Sequence, residues 1–230
     1  DPLWSRGLGD VYKRQTLLEG LKRLEYRGYD SAGIATLERG KLTRLRSEGK
    51  LVNLQDKLQN HPLAGHIGIG HTRWATHGRA VERNAHPQMT EEVAVVHNGI
   101  IENFVALRAQ LQAESCVFES ETDTEVLVHL LSKFVKAGAT SLQAVQKALQ
   151  EIKGAYALAI LFRAEEDKIF VARSGAPLAI GYGTNEMFVA SDAVALAPFT
   201  RKISYLENGD YGVVTVSYTH LRAHETREDL

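Results

Sequence analysis

The feature that most constrains the fold is a series of strand-like segments in the second half of the chain. They are AYALAILF (155–162), KIFVAR (168–173), PLAIGYG (177–183), EMFVAS (186–191) and a last segment near Tyr211–Val214, which follows Asn208-Gly209-Asp210. Short apolar runs bounded by turn residues are typical of β-strands. Because these segments follow one another closely, we expect them to form largely antiparallel sheets.

The first part of the chain contributes most of the predicted helices. Helical spacing of apolar residues predicts helices over Thr16–Leu24, Phe104–Ala113 and about residues 142–152. Thr122 and Glu125 form a capping-box pattern ahead of another apolar helix face. His66–Ala75 and Val93–Ile101 have the pattern of buried strands. Helices packed on antiparallel sheets define the α+β class, and since no Pro-, Gly- or Ser-rich linker is present, we expect one domain.

The composition is that of an ordinary globular protein and argues against several functional classes. Hydrophobic residues make up 44% of the 230 residues, and the formal net charge is −1. No apolar run approaches the length of a membrane span, and no basic stripe with interleaved aromatic residues suits nucleic acid. The single cysteine, Cys116, rules out an internal disulfide and fits a reducing cytoplasm. We therefore expect a soluble, cytoplasmic protein that binds neither membrane nor nucleic acid.

The two ends of the chain have an unusual relationship at the level of DNA. One back-translation of Asp10–Gln15, GAT GTG TAT AAG AGA CAG, has a reverse complement whose shifted frame encodes Val216–His220. Folded proteins have no reason to carry inverted copies of one DNA sequence, and both ends resemble a translated sequencing adapter. The alternative is a coincidence of degenerate codons. We expect residues 1–15 and 217–230 to be non-native and residues 16–216 to form the domain.

Cys116 and the histidines are the first candidates for chemistry. Cys116 lies in ESCVFES with no general base near it in sequence, so a small buried hydrophobe is favoured over a nucleophile. The histidines of residues 16–216 are His61, His66, His71, His77, His86, His97 and His129. They form no HExxH motif, and no acid or thiol completes a ligand set, so we expect neither a metal nor a cofactor.

The segment GHTRWATHG (70–78) places hydrogen-bonding side chains between glycines. Arg73 could bind a carboxylate through its bidentate fork, with Trp74 covering the site from water. A polar loop with a buried aromatic anchor is an equally good interpretation of this segment taken alone.

Two further segments are each open to two interpretations. Asn98-Gly99 indicates a tight hairpin turn, yet an Asn amide beside a Gly backbone N–H also supplies two donors for an oxyanion. Asp123, in SETDTE, is a normal acid for the first turn of a helix and could instead pair with a ligand ammonium. Spacing alone favours the hairpin and the helix start.

These segments occur together in a fixed order that closely resembles one family. The order, over essentially all of Thr16–Val216, is RLEYRGYDSAG, GHTRWATHG, NAHP, VVHNGIIEN, SETDTEV, KGAYALAI, ARSGAPL and ASDAVAL. It resembles the glutaminase domain of the glutamine–fructose-6-phosphate aminotransferases, or glucosamine-6-phosphate synthases. Other class II glutamine amidotransferases share the arginine loop, the Asn-Gly and the acid, whereas EYRGYDSAG points to this branch.

The resemblance implies a fold and a reaction. The fold is that of the N-terminal-nucleophile hydrolases, a four-layer αββα sandwich. The reaction is hydrolysis of L-glutamine to glutamate and ammonia through a glutamyl thioester. Asn98 and Gly99 would form the oxyanion hole, and each donor contributes on the order of 3 kcal/mol.

The resemblance also implies which residues bind the substrate. Arg73 would hold the α-carboxylate of glutamine and Asp123 its α-ammonium. Thr76 and His77 would complete the pocket. Trp74 would lie on a loop that closes over the bound glutamine.

The family's nucleophile is an N-terminal cysteine whose own α-amino group acts as the base. WSRGLGDVYKRQ stands where that first strand is expected, and Cys116 is internal. We therefore expect the chain to lack its first strand, to have lowered stability and to be inactive as a glutaminase. Turnover of glutamine that survives Cys116→Ala would contradict this expectation.

The resemblance has implications beyond the domain as well. In the family's full-length enzymes, sugar isomerase domains bind fructose 6-phosphate and use the ammonia in amino-sugar biosynthesis, and homo-oligomers are expected. A non-catalytic glutamine-binding module and the glutaminase domain of another class II amidotransferase remain as alternatives.

Overall fold

A computed structural model describes the backbone of residues 9–74, 78–215 and 219–223 and the side chains of residues 15–74 and 78–215. The helices are α1 (Gly9–Leu24), α2 (Leu51–Asn60), α3 (Phe104–Ala113), α4 (Thr124–Lys136), α5 (Ser141–Glu151) and α6 (Ala193–Leu196). The strands are β1 (Ser31–Glu38), β2 (Lys41–Glu48), β3 (Ile67–Arg73), β4 (Gln88–Met89), β5 (Val93–Ile101), β6 (Gly154–Phe162), β7 (Ile169–Ser174), β8 (Ala179–Tyr182), β9 (Met187–Ala190), β10 (Ile203–Tyr205), β11 (Asp210–Val214) and β12 (Thr219–Ala223).

Within the described residues, the strands form antiparallel sheets. One is six-stranded with the order β12-β11-β7-β6-β5-β4, and the others are three-stranded with the orders β2-β1-β3 and β10-β8-β9. The central pair, β5 with β6, runs without a break from Val93 opposite Phe162 to Ile101 opposite Gly154. The prediction of antiparallel sheet in the second half of the chain is therefore confirmed.

Helices α3, α4 and α5 cover one face of the six-stranded sheet. Leu127 and Leu131 of α4 and Val145 of α5 share a buried core with Leu158 and Phe170 of the sheet. This arrangement follows from the sequence, because apolar residues at helical spacing on α4 and α5 need an apolar sheet face to cover them. It forms the first two layers of the fold.

The other face of the six-stranded sheet packs on the two three-stranded sheets. Leu161 of β6 shares a core with Leu37 of β1 and Ile69 of β3, and Val171 of β7 shares one with Ile180 of β8. Strand β6 is thus covered on both faces, which explains why its sequence is nearly continuously apolar instead of alternating.

Helices α1 and α2 form the outer layer over the β2-β1-β3 sheet. Leu18 and Leu21 of α1 and Leu54 of α2 are buried with Ile34 of β1. The order of layers is therefore helix, sheet, sheet, helix, and the predicted α+β, αββα sandwich is confirmed. In the part of the chain that the structure describes, no helix is both long and apolar enough to cross a membrane.

Two local predictions are wrong. Asn98-Gly99 does not form a hairpin, because both residues lie inside β5 and pair with β6. The pattern of Thr122 and Glu125 is not a capping box, because the N-cap of α4 is Asp123 and the Glu125 carboxylate instead accepts the backbone N–H of Ser120. In both cases tertiary contacts replace the local arrangement that the short motif favours.

Other elements differ from the sequence-based expectation in extent. Helix α1 begins at Gly9 and not at Thr16, and β12 lies within residues 217–230. Strands β1 and β2 and helix α2 have no counterpart among the elements predicted from the sequence. The assignment of residues 1–15 and 217–230 as non-native stays a prediction.

Candidate active site

A cavity of about 410 Å³ lies beside β3 and β9, each an edge strand of its three-stranded sheet among the described residues. This volume is within the usual range for small-molecule sites, about 300–1,000 Å³. The predicted site residues that line it are Arg73, Trp74, Asn98, Gly99 and Asp123. The structure therefore brings together residues that are far apart in the sequence, whereas Thr76 and His77 lie outside the described residues.

Arg73 is positioned by the two-residue period of β3. Ile69 faces the six-stranded sheet, so the same face of β3 carries His71 and Arg73 toward the interior. Glycines occupy the opposite face: a Cβ on Gly68 would lie 2.9 Å from Leu17 of α1. The helix can therefore lie close to the strand while the polar side chains enter the cavity.

The Arg73 guanidinium is buried and held by several groups. It donates to the carbonyl oxygens of Gly78 at 3.2 Å and Arg79 at 3.4 Å, and its Nη1 lies 3.6 Å from Oδ1 of Asp30. Burial lowers the pKa of Arg73, and the charges of Asp30 and Asp123 oppose this shift. An arginine stays protonated in proteins, so the site keeps a fixed positive charge.

Trp74 lies over the backbone of Gly28, in the segment that follows α1. A Cβ on Gly28 would be 2.3 Å from Cζ3 of Trp74, and Gly28 has a φ of +76°. Glycine accommodates both the ring and this backbone conformation without strain. The indole is 66% exposed, so it borders the cavity at the protein surface.

Asn98 and Gly99 lie on β5 where it passes the cavity. Gly99 has a φ of +126°, and a Cβ there would lie 2.0 Å from the carbonyl oxygen of Ala155 on β6. This position therefore requires glycine for two separate reasons, a positive φ and close contact with the neighbouring strand. Asn98 Oδ1 lies 2.8 Å from Nε2 of His71.

Asp123 connects the end of β5 to the start of α4. Its Oδ2 accepts the backbone N–H of Ile101 at 2.8 Å, and Oδ1 lies 3.5 Å from Oγ1 of Thr124. The carboxylate is buried and lines the cavity together with Arg73. A fixed cation and a carboxylate in one cavity suit a ligand that carries both charges.

Glu121 and Asn84 join the segment after Arg73 to the segment before Asp123. Glu121 Oε2 accepts the backbone N–H of Arg79 and Nδ2 of Asn84, both at 3.1 Å. Asn84 Oδ1 accepts the backbone N–H of Glu121 at 2.9 Å. These bonds hold the two charged walls of the cavity together.

Three histidines, His86 and His97 buried and His71 partly buried, belong to the site, although the sequence pattern by itself suggests them only as possible metal ligands. Thr124 Oγ1 lies 2.7 Å from Nε2 of His86 and 3.0 Å from Nδ1 of His97. The rings of His71 and His86 are 4.7 Å apart. Two signals in the sequence could identify two of them: His71 lies two residues before Arg73 on the same strand face, and His97 directly precedes Asn98.

Burial lowers the pKa of all three histidines. The pKa of His71 falls to about 4, that of His86 falls well below its usual value, and that of His97 is lowered although Asp123 opposes the shift. The charges of Arg73 and Arg46 add to the effect on His86. The histidines are therefore neutral at physiological pH.

This neutrality predicts that mild acid destabilises the fold. Near pH 6.5 the histidines of the unfolded chain begin to bind protons, whereas these histidines in the folded chain do not. Their contribution to stability is therefore complete above that pH and is lost as the pH falls toward the folded pKa values. The shift of His71 alone should lower the free energy of unfolding by about 2 kcal/mol between pH 7 and pH 5, and His86 and His97 act in the same direction. Urea denaturation at the two pH values measures it.

A matched pair of variants assigns this pH dependence to the buried histidines. His71→Gln should reduce the drop in stability, whereas His61→Gln, at an exposed position, should leave it unchanged. Equal stability of the unmodified protein at pH 7 and pH 5 would contradict the prediction.

Cys116 is not among the described residues that line the cavity. It packs against the core between α3, α4, α5 and the six-stranded sheet, and its backbone N–H donates to the carbonyl oxygen of Leu111 at 3.0 Å. The interpretation of Cys116 as a small apolar residue agrees with this position.

Comparison with known proteins shows the family of the chain. A family model described as a glutamine amidotransferase domain matches residues 71–198. The glutamine–fructose-6-phosphate aminotransferase (isomerizing) of Brucella suis biovar 1 (strain 1330) is 62% identical over 199 residues, which are 86% of this chain and 33% of that protein. The protein of the same name from Rhizobium meliloti (strain 1021) is 58% identical over 214 residues, 93% of this chain and 35% of that protein.

A solved structure supports the same assignment. The glutamine phosphoribosylpyrophosphate amidotransferase of B. subtilis, complexed with ADP and GMP, superimposes with a TM-score of 0.75 at 28% identity over 91% of this chain and 46% of that chain. The chain spans about a third of the length of the curated relatives it matches. Its sandwich is that of the N-terminal-nucleophile hydrolases, and the chain belongs to the glutamine amidotransferase domain family.

Proposed function

We propose that this domain hydrolyses the side-chain amide of L-glutamine and supplies the ammonia for conversion of fructose 6-phosphate to glucosamine 6-phosphate in amino-sugar biosynthesis. The observation that carries the proposal is the convergence of Arg73, Asp123, Asn98 and Gly99 on one cavity. The choice of acceptor is supported by the names of the relatives, which are 56–62% identical.

Glutamine carries the two charges that the cavity can bind. In this proposal Arg73 binds the α-carboxylate through its fork, and Asp123 binds the α-ammonium. Thr76 and His77 complete the pocket, and Trp74 covers it. Binding both charged groups fixes the side-chain amide at one position in the cavity, which converts a bimolecular attack into an effectively unimolecular one.

Asn98 and Gly99 act on the reacting amide. Attack of the thiol on the amide carbon places negative charge on the amide oxygen. The side-chain N–H of Asn98 and the backbone N–H of Gly99 stabilise that charge by about 3 kcal/mol per donor. Ammonia leaves, and water then hydrolyses the glutamyl thioester to glutamate.

The nucleophile in this proposal is the thiol of the family's N-terminal cysteine, activated by its own α-amino group. The sequence contains one cysteine, Cys116, which packs in the helix-side core. Strands β3 and β9 border the cavity as edge strands of the described sheets, and an edge strand can pair with a further strand that carries the nucleophile. Because the chain has no cysteine at its N-terminus, we propose that the unmodified chain is inactive. Because both ends resemble a translated adapter, we also propose that residues 16–216 are the native domain and that residues 1–15 and 217–230 are not.

The remaining parts of the proposal concern the longer protein. Sugar isomerase domains bind fructose 6-phosphate, the enzyme works in the cytoplasm, and it forms homo-oligomers. A second candidate acceptor is phosphoribosyl pyrophosphate, supported by the structural similarity to the B. subtilis enzyme at 28% identity. The higher identity to the fructose-6-phosphate enzymes favours the first.

A chimera tests the proposal. Residues 1–15 are replaced by the segment that precedes the matched region in the Brucella suis relative, processed so that the chain begins with cysteine. The chimera should release glutamate from glutamine, and the unmodified chain should release none. Changing the introduced cysteine to alanine should abolish turnover, whereas Cys116→Ala should leave it intact. A chimera that binds glutamine without hydrolysing it would support the glutamine-binding module instead.

A further inference from the structure

The carboxamide of Asn98 has two ends, and only one of them can help the proposed reaction. Its Nδ2 group donates hydrogen bonds and would stabilise an oxyanion, whereas its Oδ1 atom would repel one. Rotation by half a turn exchanges the two ends. The site therefore needs a neighbour that selects one orientation.

His71 is placed to make this selection. Its Nε2 lies 2.8 Å from Oδ1 of Asn98, across the space between β3 and β5. Within the described part of the chain, Nδ2 of Asn98 makes no hydrogen bond, and Asn98 lines the cavity. We propose that His71 is a positioning residue that holds Asn98 by its oxygen and turns Nδ2 toward the reacting amide. This inference rests on the proposed function.

The inference requires a particular tautomer of His71. Oδ1 only accepts, so Nε2 must carry the hydrogen, and a neutral ring carries only one. Nδ1 of His71 is buried and, among the described residues, has no hydrogen-bond partner. A buried N–H without a partner is rarer than an unpaired acceptor, which favours the hydrogen on Nε2.

Burial keeps the ring neutral, since it lowers the pKa of His71 to about 4 although the hydrogen bond to Asn98 opposes the shift. A second ring also holds the His71 ring in place. The His71 ring lies against His86, whose Nε2 is 2.7 Å from Oγ1 of Thr124.

Thr124 directly follows Asp123 in the chain. The oxyanion donor and the carboxylate that binds the ammonium therefore belong to one buried network. A fixed network of this kind holds donors in place without reorganisation during the reaction.

The tautomer can be measured on the unmodified chain, without turnover. Long-range ¹H–¹⁵N spectra separate the two neutral tautomers, and the signals of His71 are those that disappear in His71→Gln. We expect the hydrogen on Nε2. A hydrogen on Nδ1 would overturn the inference, because Asn98 would then have to present Oδ1 to the cavity.

Kinetics of the chimera test the role itself. His71→Leu should lower kcat by about 10- to 1,000-fold, with the loss of a whole oxyanion donor as the upper limit, and should change the KM for glutamine little. His71→Gln, which can place an N–H near the position of Nε2, should recover most of the rate. In an Asn98→Ala background, His71→Leu should have almost no further effect.

Additive losses in that cycle would show that His71 does not act through Asn98 and would overturn the inference. If the chimera with an unaltered pocket has no glutaminase activity, the proposed function fails. The tautomer measurement then still decides whether His71 orients Asn98.

Discussion

Gly99→Ala is expected to destabilise the domain by about 4 kcal/mol or more, because it combines a steric clash with an unfavourable backbone conformation. The added Cβ would lie 2.0 Å from the carbonyl oxygen of Ala155, and both atoms belong to the central β5–β6 pair. Backbone on the neighbouring strand cannot move aside as a flexible side chain can. The φ of +126° at Gly99 adds a further cost for any residue with a Cβ.

Gly138→Ala is the matched control. Gly138 also has a positive φ, +89°, but a Cβ there would meet nothing within 4 Å. It should therefore report the backbone cost alone, about 1–2 kcal/mol. Urea denaturation of the two variants separates the two contributions. If Gly99→Ala and Gly138→Ala were equally stable, the close approach of β6 would not be what requires glycine at position 99.

Gly99→Ala should also affect the reaction wherever the protein still folds. Separating β5 from β6 displaces the donors on β5, and loss of one oxyanion donor costs about 10²–10³ in kcat. In the chimera at low temperature, we expect kcat to fall by at least this factor while Gly138→Ala retains the full rate.

Arg73→Lys is expected to weaken glutamine binding by about 2–5 kcal/mol, or about 30-fold and more, because lysine keeps the charge but loses the bidentate fork. The guanidinium is buried and already donates to the carbonyl oxygens of Gly78 and Arg79. Because lysine has fewer N–H donors than arginine, it cannot bind these carbonyl oxygens and both oxygens of the carboxylate together. Isothermal titration calorimetry of the unmodified chain and the variant with L-glutamine measures the difference.

The role of Arg73 can be separated from a general loss of structure. The compound 4-aminobutanamide is glutamine without its α-carboxylate. The unmodified pocket should prefer glutamine to it strongly, and Arg73→Lys should lose most of this preference. Arg163→Lys, at a partly exposed arginine that pairs with Glu91 and Glu92, should change neither binding nor preference. An undiminished preference in Arg73→Lys would show that Arg73 does not bind the carboxylate.

Much of the secondary structure is predictable because the signals are local. The strands of the second half and helices α3, α4 and α5 follow from runs of apolar residues with the right period. Strand β1 escapes prediction although it is almost entirely buried, because SAGIATLE is rich in small residues that give no strong strand signal. Helix α1 and strand β12 extend into the segments expected to be non-native.

The candidate site residues follow from a family pattern, whereas the secondary structure inferred from each short motif alone is wrong at two places. Asn98-Gly99 favours a hairpin by its chemistry alone, and only the pairing of β5 with β6 along its whole length excludes it. Thr122 and Glu125 indicate a cap, but Glu125 is satisfied by Ser120 and the cap position belongs to Asp123. Short motifs carry the information of a few residues, and tertiary hydrogen bonds outweigh them.

By itself, the sequence determined the fold class, the family and which polar residue types are available for a site, because periodicity and motif order are properties of the chain. Only the tertiary structure decided that Arg73, Asn98, Gly99 and Asp123 line one cavity and that His71 contacts Asn98. The physical reason is that these residues come from β3, β5 and the start of α4. Their distances depend on how the sheets stack and on the register of the strands, and no local pattern in the sequence specifies either one.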